Sequence, residues 1–546
     1  MPTIYPGVEG ECELLLTYRQ LARDSTALHE IPGLQKRLSA LSKSPRLFQY
    51  LDNDPADVPV HEWVPRSSTV LTITTCFLAM EVIAHRDPSL SIWTQRALAA
   101  FLPRAFQWLP YLHPAYSNLQ PHPYHIGVLV HILPVMYRHA TRTWSFRGRS
   151  ATLNRYLLSL WIHVVTHLDP DSSDAPHDGG TSDLDHLHLL GDCVLDMLNP
   201  KDALAGRPER SHLCATLREE FLLVTKGKPR RALAGFLRTV IGLFGHARAT
   251  ASLEHRPLHV HIRVLTALVE NIVPETCHSR DILRLSVELS RQTRRTDAVE
   301  AAYHLLLALW TTARNNDPLV WSLQRGLIHV LRPDHRDSVV VESARLAIYR
   351  YVAARTTSRG ILLALIAERL PLSVLTEGFS GDVSVMREVE VLLERRLQML
   401  SFAGGRTCSM KLCRKAMTST QIYCCNIKSP FDTAFAALQA LEYMHSARGC
   451  NLLEDLVRIE EACRALEGPD EVNVELLLDR LPPQHTITLK TPAGSPPTRT
   501  ILIMKARLFL HKPSVVTIVL EPKSLSSFLG AFNLVSPFRL VNATVD

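Results

Sequence analysis

The segments that decide the fold are DAVEAAYHLLLALW (297–310), DPLVWSL (317–323), SVVVESARLAIYRYVAAR (338–355) and SRGILLALIAERL (358–370). Each opens with a helix start signal: Glu300 follows Asp297 by three residues, Pro318 follows an aspartate, and a serine opens each of the last two. These starts lie 20, 21 and 20 residues apart. This spacing predicts consecutive helices joined by short turns.

Two such helices make a unit of about 40 residues, which resembles the period of armadillo and HEAT helical repeats. The sequence therefore predicts a mainly α protein, built as a helical-repeat array (armadillo/HEAT-like) or an irregular α-solenoid. The alternative is an irregular helical bundle whose even spacing is incidental. In the third segment, the apolar residues Val340, Ala344, Ala347, Ile348 and Tyr351 recur at helical spacing and predict its buried face.

Leucine-rich segments upstream are of helical length and are bounded mostly by Pro, Gly, Asp or Ser. They predict helices near 13–23, 30–42, 69–84, 91–110, 124–139, 151–167, 184–197, 211–224, 231–247 and 258–273.

After about residue 468 the pattern changes from helical periodicity to alternation of apolar and polar residues, in HTITLKT (485–491), TRTILIMKARLFLHK (498–512) and SVVTIVLEP (514–522). We expect a small C-terminal β appendage of two to four strands, centred on 484–520. The predicted domains are an α-helical array (1–400), a cysteine-rich segment with helices (401–467) and a β-containing tail (468–546).

Composition indicates a folded protein with a large core, because 46% of the 546 residues are hydrophobic and 21% are charged. The net charge of +7 permits an acidic partner without requiring one. The first residues include Glu9, Glu11 and Glu13 and lack a secretory signal pattern. We therefore expect an intracellular protein, in cytoplasm or nucleus, with its cysteines as thiols or metal ligands. The apolar stretch 70–83 is too short to span a membrane, and no span is predicted.

A cluster of cysteine and histidine lies between residues 408 and 450, where five of the 11 cysteines fall. Its candidate metal ligands are Cys408, Cys413, Cys424, His445 and Cys450. Cys425 adjoins Cys424, and adjacent side chains diverge too much for both to bind one metal ion. Apolar residues from 431 to 441 recur at helical spacing, which would place His445 on the apolar face of a helix and allow it to face the cysteine loop.

This cluster resembles a degenerate or truncated MYND-type zinc finger, through CSMKLC (408–413), IYC (422–424) and the later His445 and Cys450. The resemblance implies that Cys408 and Cys413 form a first ligand pair, that Cys424 belongs to a Tyr-Cys element, and that His445 and Cys450 form the terminal pair. It also implies zinc, binding of peptides that often contain proline, and a part in transcriptional or regulatory assembly.

The segment departs from the MYND pattern, because the second cysteine pair is missing from RKAMTSTQIY (414–423). Two zinc sites cannot be completed, but four ligands for one zinc ion can come from Cys408, Cys413, Cys424 and either His445 or Cys450. Two alternatives stay open. The cysteines can be buried small side chains without a metal, or the sequence has lost the middle of a complete finger.

Two other segments carry charge that could bind ligands. The acidic stretch 167–188, rich in Asp and His, could hold a divalent cation, but its spacing favours a solvated loop that leads into a helix. The stretch KGKPRRALAGFLR (226–238) could contact phosphates or an acidic peptide, or could be a solvated helix start. His255, His259 and His261 indicate a helix start rather than a ligand set, because His259 and His261 face different sides of a helix.

Signatures of common enzyme classes are missing from the sequence, including the phosphate-binding GxxxxGK[ST] loop, GxGxxG, GxSxG and HExxH. We therefore expect a non-enzymatic protein-interaction scaffold that binds a protein or peptide partner and carries a vestigial or single-zinc MYND-like segment. The alternative is a nucleic-acid-associated regulatory protein that uses the basic stretch 226–238.

Overall fold

A computed structural model describes most of residues 50–397 and five strands between residues 471 and 545. The largest segments outside it are 1–49, 168–182, 369–386, 398–470 and 523–537. The helices are α1 (Ser68–Arg86), α2 (Ile92–Leu112), α3 (Pro123–Arg142), α4 (Arg147–His167), α5 (Asp183–Leu198), α6 (Arg207–Val224), α7 (Pro229–Ala249), α8 (Arg256–Asn271), α9 (Arg280–Thr293), α10 (Val299–Thr311), α11 (Asp317–Leu323), α12 (Leu327–Val330), α13 (Val339–Arg355) and α14 (Arg359–Ala367).

The predicted fold class is confirmed: the protein is mainly α-helical and solenoid-like, with a C-terminal β appendage. The eight helices expected between residues 69 and 273 are present as α1 to α8, with ends within a few residues of their predicted positions. The helices expected near 13–23 and 30–42 lie outside the described residues. Helical periodicity and Pro or Gly terminators therefore located these elements well.

The chain divides into two compact units, and each is described by itself. Unit 1 comprises Met1–Cys277 and Glu288–Ala308, and unit 2 comprises His278–Val287 and Leu309–Asp546. The domain boundaries expected near residues 400 and 468 fall at segment 398–470, outside the described residues, and stay predictions.

Within unit 1, each helix packs on others that are near it in sequence. Helix α3 contacts α1, α2, α4 and α5, and α4 also contacts α5, α6 and α7. Helix α8 contacts α5 and α7. Aromatic side chains fill the core, among them Phe77, Trp108 and Trp161, each no more than 1% exposed. Packing of an apolar face on neighbouring helices stabilises such an array far more than helix propensity does.

The helix start signals expected at residues 297, 317, 338 and 358 are confirmed in part. Ser338 caps α13, because its Oγ accepts the backbone N–H of Val341 at 3.3 Å. Ser358 occupies the N-cap position of α14 without a side-chain capping bond. Helix α11 begins at Asp317 with Asn316 at its N-cap, one residue earlier than the aspartate cap that the sequence indicated. Asp297 lies outside the described residues.

The predicted buried face of α13 is partly wrong. Ala344 and Ile348 are buried as expected, but Val340 is 53% exposed and Ala347 is also exposed. The buried face runs instead through Val341, Ile348 and Val352. Valines occupy three successive positions at the start of this helix, so periodicity alone does not fix which of them faces the core.

Five strands form one sheet in unit 2, in the order β2-β1-β3-β4-β5. They are β1 (Glu471–Leu477), β2 (Gln484–Lys490), β3 (Ile501–Phe509), β4 (Pro513–Pro522) and β5 (Phe538–Val545). β1 pairs with β3 in parallel, and the other neighbours pair antiparallel. The two hairpins β1–β2 and β3–β4 therefore lie side by side, and the parallel pair β1–β3 joins them.

The β appendage is thus larger than predicted. The three expected strands are present as β2, β3 and β4, whereas β1 and β5 lie on either side of the predicted core range 484–520. β1 carries the same alternation, with Val472, Val474 and Leu476 separated by polar residues, and Leu476 is fully buried. The rule that found the other strands would have found β1.

A close approach between α5 and α8 depends on Gly191, because a Cβ there would lie 2.9 Å from the Cγ1 of Val260. We expect Gly191→Ala to destabilise the protein by about 1 kcal/mol, since overpacking of a stiff valine outweighs the gain in helix propensity. Gly245→Ala in α7 is the matched control, because nothing lies within 4 Å of its Cβ position. It should instead stabilise by about 0.5–1 kcal/mol. Urea unfolding of both variants measures the two changes in the free energy of unfolding. Equal changes of the same sign would contradict the close approach at Gly191.

Among the described helices, none is both long and apolar enough to cross a lipid bilayer.

Candidate functional site

The cysteine cluster has no described geometry, because Cys408, Cys413, Cys424, His445 and Cys450 all lie in segment 398–470, outside the described residues. The same holds for most of the acidic stretch 167–188, whose residues 168–182 are not described. Both sites stay predictions. Within the described residues, no three His, Cys, Asp or Glu side chains form a group able to hold a metal ion.

The basic stretch is described in full, and it forms the turn between α6 and α7. We call residues 226–231 the basic turn. Lys226, Lys228, Arg230 and Arg231 are all exposed there, and Arg238 is exposed further along α7. No acidic side chain of the described residues pairs with Lys226, Lys228, Arg231 or Arg238. The surface at this turn is therefore positively charged and open to a partner.

Backbone hydrogen bonds close the end of α6 in a Schellman motif. The N–H of Gly227 donates to the carbonyl of Leu222 at 2.8 Å, and the N–H of Lys226 donates to that of Leu223 at 3.0 Å. Lys226 lies in the left-handed region with φ of 52°. Glycine is favoured at this position, and a residue with a Cβ costs about 1 kcal/mol there.

Three further cations of the basic turn lie where helix stability favours other residues. Lys228 precedes Pro229, the first residue of α7, and so occupies a capping position without a side-chain acceptor. Arg230 and Arg231 stand in the first helical turn, where the helix dipole favours acidic residues. Stability of α7 therefore does not explain the positive charge at these three positions.

A second polar group lies inside unit 1, where His113 after α2 meets α4 and α6. The Nε2 of His113 lies 3.0 Å from the carbonyl of Tyr156 and 3.5 Å from the Oγ of Ser159. Tyr116 bonds Ser159 at 3.1 Å and donates to the Glu220 carboxylate. His113 and Ser159 are fully buried, and Glu220 is 4% exposed. This His, Ser and Glu combination raises the question of nucleophilic catalysis.

The hydrogen bonds of this group do not arrange Ser159 as a nucleophile with His113 as its general base. The Nδ1 of His113 accepts the N–H of Ala115 at 3.1 Å, so the ring proton resides on Nε2 and is donated to the Tyr156 carbonyl. Ser159 donates its own proton to the Arg155 carbonyl at 2.7 Å. His113 thus offers no free base to Ser159, and the group serves to join α2, α4 and α6.

Burial dominates the electrostatics of this group. It lowers the pKa of His113 to about 3, with a smaller contribution from the nearby His163. It raises the pKa of Glu220, against the opposing effects of Tyr116 and Arg155. The pKa of Tyr116 is raised by burial and by its bond to Glu220. His113 is therefore neutral in the folded protein, and its charging opposes folding.

His261 of α8 is a buried histidine of a different kind. Its ring stacks on Trp161 of α4 with centroids 4.9 Å apart, and neither of its nitrogens has a hydrogen-bond partner among the described residues. Burial lowers its pKa to about 3. The helix start expected near His259 and His261 is confirmed, since α8 begins at Arg256, but burial of His261 was not predicted. A histidine at an apolar position of the helical pattern was the signal that could have shown it.

Comparison with models of protein families, with curated proteins and with solved structures finds no match for this chain.

Proposed function

We propose that this chain is a non-enzymatic scaffold that binds another protein. One observation carries the proposal, namely the contrast between the inside and the surface of unit 1. The buried polar group around His113 is committed to bonds between helices, while Lys226, Lys228 and Arg231 of the basic turn have no acidic partner among the described residues. Helices packed in chain order present extended surfaces of the kind that helical-repeat proteins use for binding.

Copurification with a nuclease step tests this function and separates it from the nucleic-acid alternative. The tagged full chain is isolated from cells at about 150 mM salt, an ionic strength that screens weak surface contacts. One sample is treated with DNase and RNase before elution. We expect a defined protein partner, near stoichiometric amount, in both samples. Loss of all partners after nuclease treatment would instead support a nucleic-acid-associated protein and contradict the scaffold.

We also propose that the MYND-like segment holds a single zinc ion. Support comes from the sequence alone, through the thiol and imidazole groups of Cys408, Cys413, Cys424 and either His445 or Cys450. Four such ligands in a tetrahedral arrangement are what a structural zinc site requires. Zinc bound there would stabilise the segment by linking residues distant in sequence.

Metal analysis checks the zinc prediction. We expect about one equivalent of zinc in the full chain prepared without chelator, as one four-ligand site requires. A Cys408→Ser, Cys413→Ser double variant should lose it, while Cys76→Ser, Cys193→Ser should keep it, since these two buried thiols lie on α1 and α5. Less than about a tenth of an equivalent in the unmodified chain would contradict a structural zinc site.

A further inference from the structure

We infer that the basic turn is the docking surface for an acidic peptide segment that also carries an apolar residue. This inference rests on the proposed scaffold function and names the partner's chemistry. The surface combines the exposed cations Lys226, Lys228 and Arg231 with Leu223, which is 65% exposed. The backbone bond from the N–H of Lys226 to the carbonyl of Leu223 places this leucine one turn before Lys226.

The positive charge of this surface favours a partner that carries negative charge. The first turn of α7 contains no acidic residue, and the free N–H groups at a helix start add to the positive potential of the side chains. Carboxylates of a partner can therefore meet both lysine or arginine side chains and the positive end of α7. A neutral peptide would form no ion pairs with these side chains, so its binding would gain little free energy from them.

An acidic peptide fits this surface better than a nucleic acid does. Phe236, the aromatic residue within 226–238, is 2% exposed and packs edge-on against Trp161. It cannot stack on a base, which single-stranded recognition commonly needs. Leu223 offers an apolar contact that a phosphate backbone cannot use, whereas an amphipathic acidic peptide can place a leucine or phenylalanine on it.

A charge reversal at the basic turn should raise the stability of α7 and weaken peptide binding. This combination distinguishes loss of the docking surface from misfolding. A Lys228→Asp, Arg231→Glu variant gives α7 an N-cap acceptor and an acid in its first turn, so α7 becomes more stable. The same variant removes two positive charges from the docking surface and adds two negative ones. We expect unchanged or higher resistance to urea together with weaker peptide binding.

The test measures fluorescence anisotropy of labelled probes on the full chain. The probe is a 16-residue peptide of glutamates with leucine at every fourth position, and its comparison has glutamine in place of glutamate. We expect the acidic peptide to bind and the glutamine peptide not to bind. Binding should weaken by about tenfold or more in the Lys228→Asp, Arg231→Glu variant, as expected when charge complementarity becomes repulsion.

Two controls complete the test. An Arg284→Glu, Arg350→Glu variant makes the same change in net charge at exposed arginines of α9 and α13 and should bind normally. Leu223→Ser should weaken binding, whereas Ile366→Ser, at another exposed apolar residue, should not.

Four results would overturn the docking surface: no binding of the acidic peptide, equal loss in both charge variants, no effect of Leu223→Ser, or tighter binding of a 16-nucleotide single strand or 16-base-pair duplex. The first three leave the scaffold function standing, because a nuclease-resistant protein complex is measured separately. That complex could then use another surface of the chain.

Discussion

Lowering the pH from 7 to 5 is expected to reduce the free energy of unfolding of unit 1 by about 4 kcal/mol through His113 and His261. The folded-state pKa of each is about 3, against an ordinary value of 6.5. Between these values the unfolded chain binds a proton that the folded chain excludes, so stability falls as the pH falls. Each histidine contributes about 2 kcal/mol at pH 5.

The structure gives a separate reason why each ring resists charging. A proton on the Nδ1 of His113 would face the Ala115 N–H that now donates to this atom. In the part of the chain that the structure describes, no acceptor lies near either nitrogen of His261, and Trp161 stacks on its ring. Glu220 has the opposite effect on the pH dependence of stability. Its raised pKa makes it bind a proton more readily in the folded protein than in the unfolded chain, so protonation of Glu220 favours folding.

A His261→Phe variant isolates one of these contributions. Phenylalanine keeps the ring contact with Trp161 and removes both unpaired nitrogens, so the loss of stability between pH 7 and pH 5 should shrink by about 2 kcal/mol. His304→Gln is the control, because this side chain is about half exposed on α10. Urea unfolding at both pH values, followed by tryptophan fluorescence, measures the difference. An unchanged pH dependence in His261→Phe would show that His261 is not excluded from protonation by burial.

Arg396→Leu is expected to destabilise unit 2 by about 3 kcal/mol or more, because it removes a buried charge that bonds several carbonyl and hydroxyl oxygens. Arg396 is 3% exposed and lies in helical residues before the cysteine-rich segment. It donates to the Ala353 carbonyl at 2.6 Å, to the Thr356 Oγ1 at 2.7 Å and to the Leu478 carbonyl at 3.4 Å.

These bonds join the end of α13 to the end of β1 within unit 2. A cation at the end of α13 also interacts favourably with the helix dipole. In Arg396→Leu the Thr356 Oγ1 and the Leu478 carbonyl lose this donor. The Ala353 carbonyl keeps the N–H of Thr356 at 3.2 Å and its hydroxyl at 2.6 Å. Arg396→Lys should also lose stability, since one ammonium group cannot reproduce the spread of the guanidinium donors.

Thermal unfolding and hydrogen exchange measure the effect of Arg396. We expect a lower melting temperature and faster exchange of amides in β1, because the Leu478 contact is lost. Arg350→Leu, at an exposed arginine of α13, is the matched control and should change the free energy of unfolding by no more than about 0.5 kcal/mol. Similar small shifts in both variants would mean that Arg396 does not anchor the sheet to α13.

Sequence periodicity predicted most of the helical fold because α1 to α8 each combine an apolar face with clear terminators. It failed to select the buried face of α13, where Val339, Val340 and Val341 are equivalent in pattern and only tertiary packing decides between them. The alternation in β1 was available but followed a Gly-Pro-Asp break, and β5 lies beyond the expected range.

The candidate sites were predictable to different degrees. The charge of the basic turn was visible in the sequence, but the left-handed conformation of Lys226 depends on the folded backbone. The same holds for the absence of described acidic partners at Lys226, Lys228 and Arg231. The His113 group was not predictable, because its members come from separate helices and none belongs to a short motif. The zinc ligands stay a prediction from residue type and spacing alone.

Hydrogen–deuterium exchange of the full chain, alone and with its nuclease-resistant protein partner, tests most directly whether the scaffold binds its partner through the basic turn. We expect slower exchange on binding in peptides that cover 222–231, and little change in α4 and α8 around Trp161 and His261. Protection confined to the buried helices around His113, without any change at 222–231, would contradict binding at the basic turn.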